Sequence, residues 1–211
     1  MLIFTPVEER ILGSLIEKEF TTPEYYPLTL NALKNACNQK SNREPVVEYS
    51  EEEIDNTLNS LFEKKMVFKV TGAEFRVPKY NENFTKYFNL TKQETAVMCM
   101  LMLRGPQTIG ELRGRTNRIF NFEDLAQVEN TLQKLINTDG EQKFVMKLPR
   151  QTGRDPRYVS ILCGEPDIEN YKHKEEVKED RLDKMENEIQ QIRDELSDLK
   201  AIFEKFKEQF E

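Results

Sequence analysis

The 211-residue sequence predicts a mainly α fold with small β-hairpins (α+β), arranged as two tandem winged-helix domains and a C-terminal coiled-coil helix. Three observations predict it. A pair of helical landmarks occurs twice in the same order, each copy runs on into short β-type segments, and the C-terminal stretch alternates apolar residues three and four apart. The expected boundaries are 1–88 for the first domain, 89–164 for the second, 165–174 for a linker and 175–211 for the coiled-coil helix.

The repeat is explicit. Thr5-x-x-Glu8-x-x-Ile11-Leu12-x-x-Leu15 returns as Thr91-x-x-Glu94-x-x-Val97-Met98-x-x-Leu101. Ile54-Asp55-Asn56-Thr57-Leu58-x-x-Leu61 returns as Val128-Glu129-Asn130-Thr131-Leu132-x-x-Leu135. The offsets are 86 and 74 residues, so the first copy carries 12 extra residues between its landmarks. Two matches in one order, both on a helical period, indicate duplication.

In the first copy Thr5 and Glu8 form a capping box, each satisfying an amide at the helix start. Val7, Ile11, Leu12, Leu15 and Ile16 give that helix an apolar face. A second helix is expected over 30–39, capped by Thr29 and turned inward through Leu30, Leu33 and Cys37. Ser50 and Glu53 cap a third, with Ile54, Leu58, Leu61 and Phe62 on one side. Strands at 67–70 and 75–77 around Thr71-Gly72-Ala73 complete a hairpin.

The second copy repeats the plan. Thr91 and Glu94 start an apolar helix, and Thr108 and Glu111 cap a short one containing Ile109 and Leu112. A third follows Asn121, with Leu125, Val128, Leu132, Leu135 and Ile136 facing inward. Strands at 144–148 and 157–162 flank a wing-like loop at 149–156. Three helices and a hairpin, used twice, is the winged-helix variant of the helix-turn-helix.

Composition narrows the function. A hydrophobic fraction of 37% supports two small cores, and a charged fraction of 33% points to a long solvated helix. MLIFTPVEER has no basic region followed by an apolar one, which predicts no signal peptide. The longest apolar run, 96–103, is short of the ~18 residues a membrane span needs. Cys37, Cys99 and Cys163 lie more than 60 residues apart, a spacing that fits neither a disulfide framework nor a zinc site. With one histidine, His173, and no glycine-rich phosphate loop, the chain reads as a cytoplasmic, non-enzymatic protein with no cofactor and no metal.

Thr21-Thr22-Pro23-Glu24-x-Tyr26-Pro27-Leu28-Thr29-Leu30-Asn31-Ala32-Leu33, followed by Ala36-Cys37-Asn38-Gln39-Lys40-Ser41-Asn42-Arg43-Glu44-Pro45-Val46, resembles the signature of the YceH-like bacterial proteins. The likeness extends through Leu103-Arg104-Gly105-x-Gln107-Thr108-x-Gly110-Glu111-Leu112-Arg113 and covers about residues 5–163. The resemblance implies tandem winged helices in a cytoplasmic bacterial protein. It supplies no activity, because that family is itself largely uncharacterised.

Charge is unevenly spread. The balance is −3 over residues 1–88, +3 over 89–164 and −7 over 165–211, so the middle segment is the one suited to phosphate. Both third helices begin acidic, with Glu51, Glu52, Glu53 and Asp55 in one copy and Glu123, Asp124 and Glu129 in the other. Neither reads as a helix inserted into the major groove. The candidate nucleic-acid contacts are Arg104, Arg113, Arg115 and Arg118 around the second helix of copy two, with Arg150, Arg154 and Arg157 on its wing. The bland reading pairs some of these with acids of the third helix and leaves others solvated.

A second candidate surface is Asn38, Gln39, Lys40, Asn42 and Arg43, dense in amide and cationic donors, for a partner protein or a phosphate. Its alternative is a helix end whose cations answer the dipole, followed by a polar turn. The expected partners are therefore duplex DNA through the second domain, or another protein in an adaptor role like that of ScpB-type subunits. No membrane is expected.

Leu182, Met185, Ile189, Ile192, Leu196, Leu199, Phe203, Phe206 and Phe210 form an unbroken heptad seam. With Leu182 at position a, the facing pairs of a parallel homodimer are Arg181–Glu186, Glu188–Arg193 and Glu195–Lys200, all opposite in sign. The seam predicts a homodimer through this helix; the competing arrangement folds it back onto its own domains.

Overall fold

The computed structural model describes residues 2–72, 75–138, 140, 142–149, 155–169, 185, 188–197 and 200. Residues 1–165 form one compact unit and 166–211 a second.

Local hydrogen bonding decides where the helices begin. α1 (Pro6–Thr21) starts at a capping box, Glu8 N–H donating to Thr5 Oγ1 at 3.2 Å and Thr5 N–H donating to Glu8 Oε2 at 2.7 Å. The same reciprocal pair opens α3 (Glu51–Glu63), α5 (Lys92–Arg104) and α6 (Ile109–Arg115). Thr29 caps α2, which spans Leu30–Cys37 and so ends two residues short of the expected 39. α7 (Leu125–Ile136) takes its cap from Asp124, whose Oδ1 accepts from Gln127 N–H at 2.8 Å. Because α7 starts at Leu125, that residue lies past the end of the core and is exposed, contrary to the inward placement its spacing predicts. A short α4 (Phe84–Tyr87) links the copies.

β1 (Leu28–Thr29), β2 (Val67–Val70) and β3 (Lys79–Glu82) form an antiparallel sheet in the order β1-β3-β2. Val67 pairs with Glu82 and Leu28 with Tyr80. The second strand of this hairpin is therefore at 79–82, where the sequence pattern places it at 75–77. Tyr80 and Glu82 alternate inward while Lys79 and Asn81 are half-buried, a pattern too polar to read as a strand. Phe75 lies outside the strands with the Lys79 ammonium 4.8 Å from its ring centroid. In the second copy β4 (Val145–Lys147) pairs with β5 (Tyr158–Ser160), and Gln107 bridges to Tyr158.

One apolar core runs through both copies, from Ile11, Leu15, Leu33 and Leu58 to Val97, Leu101, Val128 and Leu132. Its centre is the packing of α1 on α5. α5 is buried without interruption over 95–103, which explains why it is apolar all round. Backbone hydrogen bonds reinforce the union: Phe4 N–H to Leu162 O at 2.8 Å and Glu44 N–H to Leu103 O at 2.9 Å. Among the described residues no helix is long and apolar enough to cross a membrane.

Candidate functional site

Residues 38–43 follow α2 and are held from inside. The Asn38 side chain clasps the backbone of Tyr49, donating to its carbonyl at 2.8 Å and accepting from its N–H at 2.9 Å. Arg43 is buried. Its Nε and Nη2 donate to Ala36 O at 3.1 and 2.9 Å, and Nη1 and Nη2 donate to Glu17 Oε1 and Oε2 at 3.2 and 2.6 Å. Arg10, also buried, donates to Cys37 O at 3.2 Å and Pro45 O at 2.7 Å. Two guanidiniums thus meet the negative end of α2. Asn38 and Arg43 serve the fold, and the turn offers Gln39, Lys40, Ser41 and Asn42 outward. Asn42 holds φ at 61°, a left-handed conformation that asparagine tolerates better than most residues.

The second copy brings its own cations to this turn. Arg104, the last residue of α5, donates from Nη2 to Asn42 Oδ1. Arg115, the last residue of α6, donates to Gln107 Oε1 at 2.9 Å and lies 3.3 Å from Glu111 Oε1. Arg118, just beyond α6, is exposed. Two other predicted contacts are turned elsewhere: Arg157 donates to Glu111 Oε2 at 2.9 Å and Pro106 O at 3.0 Å, and Arg113 donates to Glu123 O at 2.8 Å. Arg150 and Arg154 lie outside the described residues.

Between the copies runs a groove made of two adjoining clefts. One, of about 460 Å³, is lined by Glu17, Lys18, Thr21, Gln39, Lys40, Ser41, Asn42 and Arg118. The other, of about 280 Å³, shares Glu17, Thr21, Asn42 and Arg118 with it and adds Arg104, Gly114, Arg115 and Asn117 among others. Among the described lining residues five cations, Lys18, Lys40, Arg104, Arg115 and Arg118, face one acid, Glu17, which Arg43 holds at 2.6 Å and Lys18 approaches at 3.7 Å. Burial, followed by the positive charge of Arg115, lowers the pKa of Arg104, and Arg43 adds to the repulsion. Crowded guanidiniums of this kind are relieved by an anion. Thr21, Ser41, Asn42 and Asn117 add neutral hydrogen-bonding groups.

The structure therefore unites two surfaces that the sequence offers separately, three of the seven arginines and the 39–42 turn. It adds Lys18 and Asn117. No local signal marks Lys18, because its role depends on the end of α1 lying beside α6. Among the described residues no group of histidine, cysteine and carboxylate side chains is placed to hold a metal.

Of the predicted tail seam, Met185, Ile189, Ile192 and Leu196 are helical and exposed. Leu182, Leu199, Phe203, Phe206 and Phe210 lie outside the described residues.

Fold and groove define a mainly helical α+β protein of duplicated plan with a cation-lined cleft where the copies meet. The family described as a protein of unknown function, DUF480, matches residues 4–154, and the chain belongs to it. It is 51% identical over 205 residues to the UPF0502 protein of Solibacter usitatus, covering 97% of this chain and 96% of that one. It is 43% identical over 213 residues to a UPF0502 protein of Vibrio atlanticus, covering 96% and 97%. It is also 49% identical over 173 residues to the UPF0502 protein of Aeromonas hydrophila, covering 80% and 78%.

Proposed function

We propose that this chain is a non-enzymatic, DNA-binding or transcription-associated regulator, built from tandem winged helices, which holds the phosphate backbone along the groove between its copies. The observation that carries this reading is the convergence of Lys18, Lys40, Arg104, Arg115 and Arg118 from both copies, on a chain whose net charge is −7. A local cationic surface against so acidic a background is a selective electrostatic feature. Glu51, Glu52 and Glu53 at the start of α3 are exposed and would repel phosphate, so α3 stays out of the major groove and the contact is made by the groove cations to backbone, not to base edges.

Fluorescence anisotropy with a mixed-sequence duplex, at about 50 and about 200 mM salt, tests this. Engagement of on the order of four phosphates gives a slope of log affinity against log salt of about −3 to −4. Lys40→Glu with Arg118→Glu is expected to abolish binding while the melting temperature stays near that of the parent. Unchanged affinity in that double variant, or no binding at low salt, overturns the reading.

The exposed acidic turn of α3 favours a second reading, a protein adaptor without DNA contact. It predicts a partner retained at moderate salt and lost on substitution of Gln39, Lys40 and Asn42.

A further inference from the structure

We infer that the C-terminal helix pairs in parallel with the same helix of a second copy of this chain. Four large apolar side chains, Met185, Ile189, Ile192 and Leu196, stand 48%, 48%, 58% and 49% exposed on a helix. Their spacings of four, three and four residues are the d-a-d-a line of a heptad, which keeps one narrow stripe on one face. A solitary helix of this length is marginal in water, so its stability requires that stripe to be covered. The other side is polar, with Gln190 donating to Asp194 at 2.9 Å and Gln191 to Glu195 at 3.1 Å.

Charge selects the occupant. Glu188 and Glu195 fall at g, Arg193 and Lys200 at e. In a parallel pair each g faces the e of the next heptad on the other helix, giving Glu188–Arg193 and Glu195–Lys200 on both sides of the seam. An antiparallel pair places g against g and e against e, which sets Glu188 against Glu195 and Arg193 against Lys200, like charges in both cases. The stripe is thus complementary to an identical stripe in the same direction, a self-complementary contact with twofold symmetry. In sequence it continues at Leu182, Leu199, Phe203, Phe206 and Phe210, on the same spacing.

This inference does not depend on what the groove binds. It does set the groove's valency, since two copies joined at the tail present two grooves to one ligand.

Light scattering coupled to size exclusion on the full chain is expected to give twice the monomer mass. Ile189→Glu with Ile192→Glu is expected to give the monomer mass with an unchanged melting transition of the 1–165 unit, whereas Gln190→Glu on the polar side leaves the dimer intact. A second measurement avoids destabilising the helix. In a Cys163→Ser background, Ile189→Cys is expected to cross-link to its own counterpart under mild oxidation, and Ser197→Cys on the outer face is not. A monomeric parent, a mass of three or more copies, or failure of Ile189→Cys to cross-link overturns the inference.

Discussion

Arg43 grips Glu17 with both terminal guanidinium nitrogens, Nη2 2.6 Å from Oε2 and Nη1 3.2 Å from Oε1, while its side chain is wholly shielded from solvent. The pair fastens the 38–43 turn to α1 and sets the floor of the groove. Removing one partner strands the other: among the described residues the ion pair left to Glu17 is Lys18, at 3.7 Å. Arg43→Ala is expected to cost about 3 kcal/mol in urea unfolding, in the range for breaking a buried pair. Arg43→Lys recovers only part of it, because an ammonium cannot serve Glu17 and Ala36 O together. A loss below about 1 kcal/mol for the alanine variant would show that the turn is held by its other contacts, Asn38 to Tyr49 and Arg10 to Pro45 among them, and not by this pair.

Gly13 sets how closely α1 and α5 approach. A Cβ there would come within 3.0 Å of Leu103 and of Met102, both buried on α5. Since α1 and α5 form the centre of the shared core, Gly13→Ala has to push the copies apart or force Leu103 from its rotamer. The expected cost is about 1–3 kcal/mol, typical of overpacking. Gly114→Ala is the control, since nothing lies within 4 Å of its added methyl. Equal stabilities for the two alanine variants would mean that the crossing has slack, and the close-packed interface described above would be wrong.

These two contacts show what was legible in sequence. Helix starts were legible because a capping box needs only residues three apart, as Thr5 and Glu8 or Thr108 and Glu111 are. The apolar faces of α1 and α3 were legible for the same local reason. The direction of a loop side chain is not local. Arg43 reads as an exposed donor in a polar stretch, yet the end of α2 and Glu17 draw it inward. β3 was missed because Lys79 and Asn81 alternate with a buried tyrosine and a buried glutamate, so no apolar period announces it. The groove was half legible: Lys40, Arg104, Arg115 and Arg118 stand out by type, but their meeting with Lys18 is a product of helix crossing.

Glu8 and Glu9 are chain neighbours whose carboxyls are pushed in opposite directions. Burial alone would raise Glu8, but Lys64, 2.7 Å from both oxygens, together with Thr5 N–H and Ser60, outweighs it and holds the group below its ordinary value. Burial raises Glu9, and hydrogen bonds from Ser160 and Cys163 offset this only in part. Glu9 Oε1 is sealed from solvent without a hydrogen-bond donor among the described residues. The signs follow from linkage. Glu8 contributes stability above its unfolded value, lost as pH falls through the folded one. Glu9 favours folding while protonated, and that contribution is lost as pH rises through its raised folded value. At neutral pH, Glu8→Gln is expected to destabilise by about 2 kcal/mol and Glu9→Gln to stabilise by about 1 kcal/mol. Both differences narrow in acid. Urea unfolding at neutral and acidic pH checks this, and shifts of the same sign at neutral pH would defeat it.

The cations around the groove should separate into two behaviours. Glu111 receives Arg115 and Arg157 while also capping α6 with Thr108, so both arginines support the fold. Each is about one-third exposed, at 35% and 32%, so solvent screens the pairs. Arg115→Ala or Arg157→Ala is expected to cost about 0.5–1 kcal/mol. Lys40 and Arg118 are exposed and line the groove, and their alanine variants are expected within about 0.5 kcal/mol of the parent. In the anisotropy assay Lys40, Arg118 and Arg157 should then divide the other way, whereas Arg115, which both pairs with Glu111 and lines the groove, is expected to lose stability and affinity together. Lys40→Ala and Arg118→Ala reduce affinity and flatten the salt slope by about one contact each, and Arg157→Ala leaves the slope unchanged. A uniform loss across all four variants would instead mean that binding follows stability and that the groove itself makes no contact.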